Sequence, residues 1–261
     1  RYAASSPPSG PADPPHSRKD SALPRIELAH LSKRYGAVTA VDDLSFSLEP
    51  GSITGFVGAN GAGKSTTLRM LLGLIRPTSG TATIDGRPYA ELPDPTRAVG
   101  ALTDPDVFHP GRTGRNALRV LARPAGIDDR RVDELLELVD LTGAARRRVG
   151  GYSTGMRQRL GLAAALLGDP PTLILDEPAN GLDPLGIAWL RRLLRDLADQ
   201  GRTLLVSSHQ LAELAQTVDD LILIDHGRLV ARGTTTDLLA RHQSASLEEL
   251  FLDLVSNGTR P

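Results

Sequence analysis

Cysteine is absent from the 261 residues, so no disulfide framework and no Cys-ligated zinc site can form within them. That lack fits a reducing compartment. Long apolar runs are missing too. A helix needs roughly 18–20 consecutive apolar residues to cross a bilayer. The longest candidate, Leu160 to Leu167, is shorter and is closed by Gly168-Asp169-Pro170. The N-terminus is polar and rich in Pro, unlike a secretory signal, so any work at a membrane is expected to run through a partner. Neither sign of charge is in excess. The net charge of −1 gives no bulk basic surface for nucleic acid. Aromatic residues make up 3% of the chain, and only three of its 30 basic side chains are Lys: Lys19, Lys33 and Lys64.

What is present is 40% hydrophobic, enough at this length for one large domain or two lobes sharing a core. Residues 1–24 hold six prolines among Ser, Ala and Gly and read as a disordered leader. The folded domain is expected over residues 25–256, with a flexible tail at 257–261. Ile26 and Leu28, then Leu44, Phe46 and Leu48, alternate with polar residues, the period of half-buried antiparallel strands. Glu49-Pro50-Gly51 is a turn before a buried strand over Ile53–Val57, a Gly-rich loop and a helix from about Ser65 to Leu74. Pro77-Thr78-Ser79-Gly80 makes another turn, then a short strand runs to Ile84, and Asp85-Gly86 is a hairpin signal. Residues 105–168 read as helical. Val132, Leu135, Leu136, Leu138 and Val139 fall at helical spacing with acids on the opposite face. Strand and helix then alternate over Thr172–Leu175, Gly186–Ala198, Thr203–Val206, Gln210–Thr217 and Leu221–Ile224. That alternation implies a parallel α/β architecture. A last short helix is expected over Ser246–Val255.

The run Gly58-Ala59-Asn60-Gly61-Ala62-Gly63-Lys64-Ser65-Thr66 fits G-x-x-x-x-G-K-S/T. It sits between a strand and a helix, the setting this phosphate-binding pattern requires. Glycines let backbone N–H groups point inward at phosphate oxygens. The helix N-terminus adds partial positive charge. Lys64 would neutralise the β- and γ-phosphates, and the Ser65 hydroxyl would ligate Mg²⁺. A chain that uses Arg almost everywhere keeps Lys here, where a compact ammonium fits and a planar guanidinium does not. The alternative is a Gly-rich strand–helix turn without function.

Thr172-Leu173-Ile174-Leu175-Asp176-Glu177-Pro178 is an apolar strand ending in two acids, at the edge where α/β folds bind ligands. Asp176 can hold Mg²⁺ through water, and Glu177 can polarise an attacking water as general base. Alone, such a strand end is equally a turn or a helix cap; the phosphate loop beside it favours chemistry. Gly151-Tyr152-Ser153-Thr154-Gly155-Met156-Arg157-Gln158-Arg159 precedes an Ala/Leu-rich helix. Ser153 is a candidate N-cap. With Gly155 it could make a second anion site or be ordinary capping.

In their order these motifs resemble the ATP-binding cassette (ABC) family over about residues 25–256. Tyr152-Ser153-Thr154-Gly155-Met156 stands where that family carries its signature motif, usually LSGGQ. The resemblance implies an α/β P-loop ATPase of ABC type. Its mixed sheet core would carry an antiparallel β subdomain and a helical subdomain at 105–168. It also implies that two cassettes close head to tail, with each ATP held between one phosphate loop and the other subunit's Ser153, Thr154, Gly155 and Met156. Asn180-Gly181-Leu182-Asp183 resembles the D-loop that crosses the dimer interface. Val206-Ser207-Ser208-His209 resembles the switch region, in which His209 would contact the γ-phosphate and orient water. Tyr35, in Lys33-Arg34-Tyr35-Gly36, resembles the aromatic residue that stacks on adenine; otherwise it is a strand-end Tyr packed on its neighbours. The implied partners are a second cassette, expected to be identical, and separate transmembrane permease subunits, with no nucleic acid. The implied place is cytoplasmic, on the inner face of the membrane.

Two departures from the family stand out. The segment Val99-Gly100-Ala101-Leu102-Thr103-Asp104 aligns with one that ends in Gln, whose carbonyl reaches Mg²⁺. Here Asp104 offers oxygen with a full charge and a shorter reach. It either takes the metal role or caps the next turn, and Asp106 is a second candidate. In the signature, Thr154 replaces Gly and Met156 replaces Gln. Tyr-Ser-x-Gly-Met followed by Gln-Arg is similar to cassettes of bacterial drug and antibiotic exporters, as is the loop from His109 to Asn116. Contacts to a membrane subunit are expected near residues 104–120. A non-transport member acting on DNA or ribosomes is the alternative, but the chain has no coiled-coil insert between Thr66 and Tyr152 and a single phosphate loop. A GTPase would need Asn-Lys-x-Asp, which is absent.

Overall fold

A computed structural model describes residues 26–258 except 49, 105, 211–213 and 215. The leader expected over 1–24, the end of the tail and half of the helix expected over Gln210–Thr217 lie outside the described residues.

Two sheets share the core. The alternation at Ile26, Leu28, Leu44 and Phe46 folds β1 (Ile26–Tyr35) onto β2 (Val38–Ser47) through a turn at Gly36-Ala37, with Leu28 opposite Phe46. β4 (Ser79–Ile84) pairs on the other side of β1, so the antiparallel order is β2-β1-β4. Ser79 and Gly80, expected in a turn, begin this strand instead, and an irregularity between Ala29 and Ser32 of β1 takes up the mismatch. Asp85-Gly86 does reverse the chain, but only a single bridge, Ile84 to Arg87, follows it among the described residues.

The second sheet has the order β5-β6-β7-β3-β8-β9. β3 (Ile53–Val57) lies inside it with all five residues buried. β5 (Val99–Leu102), β6 (Thr172–Leu175), β7 (Thr203–Ser208) and β8 (Asp220–Asp225) run parallel with it. Strands covered on both faces read as continuous apolar runs, which is why β3, β6 and β7 are visible in sequence. β9 (Arg228–Thr234) returns antiparallel to β8. Parallel pairing places the strand ends together: Val57 faces Ser208, Leu175 faces Val206, and Leu102 faces Leu175. The segments leaving β3, β5, β6 and β7 therefore start from one edge of the sheet.

α1 (Lys64–Leu71) stops short of Leu74 because Gly73, with φ of 68°, ends the turn. After the single turn α2 (Pro95–Ala98) come α3 (Gly114–Ala122), α4 (Asp129–Leu138) and α5 (Thr154–Ala165). This helical part begins at residue 114 rather than 105. Ahead of it, Arg112 N–H closes a turn onto the His109 carbonyl, and Thr113 caps α3. Leu118, Val132, Leu135, Leu136 and Leu160 of α3–α5 bury in one cluster with Leu102, Leu173 and Leu175 of the sheet. Each such side chain contributes about 1.5–3 kcal/mol on burial. Phe56, Leu68 and Leu71 join the antiparallel sheet in a second cluster. α6 (Pro184–Asp199) starts with Pro184 behind the Asp183 cap, two residues earlier than expected. α7 (Thr235–His242) and α8 (Leu247–Gly258) finish the chain. The Ser246 hydroxyl accepts from Glu249 N–H at the start of α8, and the helix continues past 256. No helix among the described residues is long and apolar enough to cross a membrane.

Candidate nucleotide site

The phosphate loop bridges the end of β3 and the start of α1. Gly63 has φ of 103°, and a Cβ there would lie 2.5 Å from the Ala40 carbonyl oxygen. Only Gly closes the loop in that conformation. Because Gly63 is the N-cap of α1, the unpaired N–H groups of the first turn face the loop. The loop opens on a cavity of about 360 Å³ lined by Asn60, Gly61, Gly63, Lys64, Ser65 and Thr66, with Ala40, Glu177, Asn180 and His209 brought from other elements.

Lys64 is 6% exposed. Its ammonium donates to the Gly58 carbonyl at 2.7 Å and to the Ala59 carbonyl at 3.3 Å, and lies 3.5 Å from Glu177 Oε1. Glu177 Oε2 is 2.8 Å from His209 Nδ1. The lysine, the acid and the histidine thus face one cavity, because β3, β6 and β7 deliver them to the same sheet edge.

Glu177 has φ of 50°, a left-handed conformation that non-Gly residues rarely hold. Its N–H donates to Ser207 Oγ at 2.9 Å, and the Ser207 hydroxyl donates to Asp176 Oδ1 at 2.5 Å. Asp176 is buried, so that hydrogen bond offsets part of the cost of desolvating its carboxylate.

Ser153 caps α5: its Oγ accepts from Met156 N–H at 3.2 Å. Ser153 and Thr154 are exposed. A Cβ at Gly155 would lie 2.9 Å from the Gly181 carbonyl oxygen, so the first turn of α5 packs directly on the segment from Asn180 to Asp183. Asp183 caps α6 through Gly186 N–H at 2.7 Å. Ser153, Thr154, Gly155, Met156 and Asp183 do not line the Lys64 cavity of their own chain.

Asp104 and Tyr35 also lie off that cavity lining. Asp104 follows β5, and its Oδ1 accepts from Asp106 N–H at 2.8 Å. Asp106 is engaged in turn by Arg157 of α5 at 2.7 Å. Tyr35 ends β1 with its ring half-exposed and the Lys33 ammonium 5.0 Å from its centroid. Sequence reasoning missed Ala40 and the roles of Ser207, Gln158 and Asn180. Ser207, Gln158 and Asn180 each stood inside a stretch singled out in the sequence, which gave their place but not these contacts; Ala40 had no signal.

A family model described as ABC transporter matches residues 41–180, more than half of the chain. The chain belongs to the ABC transporter ATP-binding family. It is 44% identical over 208 residues to a bacitracin transport ATP-binding protein of Bacillus licheniformis, spanning 78% of this chain and 68% of that protein. It is 39% identical over 231 residues to Nod factor export ATP-binding protein I of Paraburkholderia xenovorans, spanning 87% and 76%. A solved ATP-binding subunit of an ABC transporter shares 31% identity and a TM-score of 0.80, over 88% of this chain and 99% of that one. A dimeric cassette holding ADP and phosphate, 22% identical with a TM-score of 0.73 over 80% and 98%, shares the fold. This ABC cassette is accordingly an ATP-binding, ATP-hydrolysing transporter subunit, with the mixed sheet, antiparallel sheet and helices expected of it.

Proposed function

We propose that this cassette powers an exporter, hydrolysing ATP at the cavity between Lys64 and Glu177 as one of two identical subunits seated on separate transmembrane permeases. The observation that carries the site is the meeting of Lys64, Glu177 and His209 on one cavity, at 3.5 and 2.8 Å. The N–H groups of the phosphate loop and Gly58–Thr66 would cradle the β- and γ-phosphates, whose oxygens replace the Gly58 and Ala59 carbonyls as partners of Lys64. Glu177 would take the proton of the attacking water. His209, held by Glu177, would orient that water and contact the γ-phosphate. Tyr35, with its ring half-exposed, would stack on adenine.

The family implies Mg²⁺, and the oxygens present suit it. Ser65 lines the cavity, and Asp176, off that lining, precedes Glu177 at the end of β6. Among the described residues no group of three or more His, Asp or Glu could enclose a metal. Mg²⁺ is characteristically held by one or two protein oxygens together with phosphates and water. When bound it would neutralise charge on the phosphates. Asp104, whose Oδ1 is engaged by Asp106 N–H, would approach it through its other oxygen.

Ser153, Thr154, Gly155 and Met156, exposed or half-exposed at the N-terminus of α5, would close on the ATP of the second cassette, with Asp183 near the interface. The dimeric neighbour structures and the names of the relatives support that assembly. The bacitracin and Nod factor relatives support export. A permease would meet residues 104–120, and the cassette would work on the cytoplasmic face of the membrane. Tagging the protein, solubilising membranes of its own cells in mild detergent and identifying what co-purifies tests this. A polytopic membrane protein in stoichiometric amount is the expected result; ribosomes or DNA in its place would refute the exporter reading.

A further inference from the structure

Gln158 lies in the second turn of α5 and is 1% exposed. Its Nε2 donates to the backbone carbonyl of Glu177 at 3.0 Å. That carbonyl also accepts from Asn180 N–H at 3.1 Å. A carbonyl oxygen can only accept, so chemistry sets which end of the amide faces it. The other end, Oε1, is buried with no hydrogen-bond partner among the described residues. An unpaired buried acceptor costs about 1–3 kcal/mol, and an apolar side chain of similar volume would remove that cost. Core stability is therefore a poor account of why an amide stands here.

The position of Glu177 supplies a better one. Its left-handed φ of 50° is costly for a residue with a Cβ and persists only where its surroundings hold it. Ser207 holds the peptide N–H, and Gln158 and Asn180 hold the carbonyl. The side chain that leaves this peptide reaches His209 and Lys64. α5 and the segment from Asn180 to Asp183 thus meet at the carbonyl of the residue that bears the base, and the approach of Gly155 to Gly181 packs them together.

We infer that Gln158 is a positioning residue for ATP hydrolysis, clamping the Glu177 peptide so that its carboxylate points into the Lys64 cavity. This rests on the reading of Glu177 as general base. Because α5 opens with Ser153, which the proposed dimer sets against the other subunit's nucleotide, the aim of each base follows how α5 is seated.

Q158M keeps an unbranched side chain of similar size and removes the amide. On the full chain the expected result is a fall in kcat of about 10–10²-fold, the size of effect a small misplacement of a catalytic group produces. KM for ATP should stay within about twofold, and Tm should be unchanged or higher, since the orphan acceptor is gone. In an E177Q background Q158M should change the residual rate by less than about twofold, because it acts through Glu177. A lowered Tm with kcat unchanged would assign Gln158 to structure alone and overturn the inference, as would an undiminished effect in E177Q. E177Q hydrolysing at the wild-type rate would overturn the base assignment itself, which separates the two failures. Q158N, which keeps the amide and shortens its reach, is the second variant should Q158M not fold. It should lose kcat with KM held, and a normal kcat would refute the clamp.

Discussion

Replacing Glu177 by Gln keeps the size of the side chain and removes its charge. In the wild-type site Oε2 lies 2.8 Å from His209 Nδ1 and Oε1 lies 3.5 Å from the Lys64 ammonium. A Gln amide has both a donor and an acceptor, so it can keep the contact with either His209 tautomer. Lys64 keeps the Gly58 and Ala59 carbonyls, and the loop around it should stay closed. What disappears is basicity. Removing a general base costs about 10²–10⁴-fold in rate, or about 3–5 kcal/mol on the barrier. ATP affinity moves the other way. The carboxylate faces the cavity into which phosphates must come, and like charges at about 4 Å repel by up to about 4 kcal/mol at an effective dielectric near 20. E177Q should therefore bind ATP at least as tightly as wild type while releasing phosphate far more slowly. Single-turnover phosphate release and equilibrium ATP binding, measured on the same preparation, read the two quantities apart. Hydrolysis near the wild-type rate would remove Glu177 from the role of base. Loss of binding together with hydrolysis would mean that Glu177 builds the loop and does not act on water.

K64A removes a charge-assisted donor whose contacts are worth about 1.5–3 kcal/mol, so ATP should bind about 10–10²-fold more weakly by equilibrium dialysis; unchanged affinity would refute the phosphate nest. D104A should raise the Mg²⁺ concentration for half-maximal hydrolysis by about tenfold, the lower end for loss of a group that supports a metal. Superimposable Mg²⁺ titrations would leave Asp104 as the cap of Asp106. Asp169 lies in the turn between α5 and β6 with φ of 55° and is held by Arg202 at 2.8 Å and Arg131 at 3.2 Å. The hydrogen bond from Arg202 holds its carboxyl below the ordinary value of 3.8. Its stabilisation is present above that value and is lost as pH falls through the lower folded-state pKa. Asn tolerates the same backbone, so D169N isolates the charge. At neutral pH it should lower Tm by about 1–3 °C, the scale of a largely exposed ion pair in a chain of this size. The two melting curves should draw together below the ordinary carboxylate value and converge only once pH is below the lowered folded-state pKa; a gap that persists below both would refute the ion-pair account.

The parts of this molecule legible in its sequence are those whose physics is local. β3, β6 and β7 are buried on both faces and read as apolar runs, and the phosphate loop needs Gly and Lys at set spacing. The motifs named Lys64 and Glu177, and the family resemblance named His209; that β3, β6 and β7 bring all three to one sheet edge comes from the strand pairing. What escaped is what backbone groups do at a distance. β9 is half-exposed and carries Arg, Gly and Thr, so no period marks it. Gln158 acts on a carbonyl 19 residues away, and a carbonyl has no sequence identity to match. The consequence is sharpest at the phosphate loop itself. The Gly227 N–H in the β8–β9 turn donates to the Ala62 carbonyl at 3.0 Å, and the Gly227 carbonyl accepts from Asp42 N–H of β2 at 2.9 Å. Arg228 then pairs with the Asp42 carboxylate. The loop that binds phosphate is thus braced from outside by a hairpin and by the antiparallel sheet, through main-chain contacts that the Gly-Lys pattern does not encode. A pattern match can name the residues that meet the nucleotide. The stiffness that lets them meet it without reorganising comes from elements that sequence periodicity passes over.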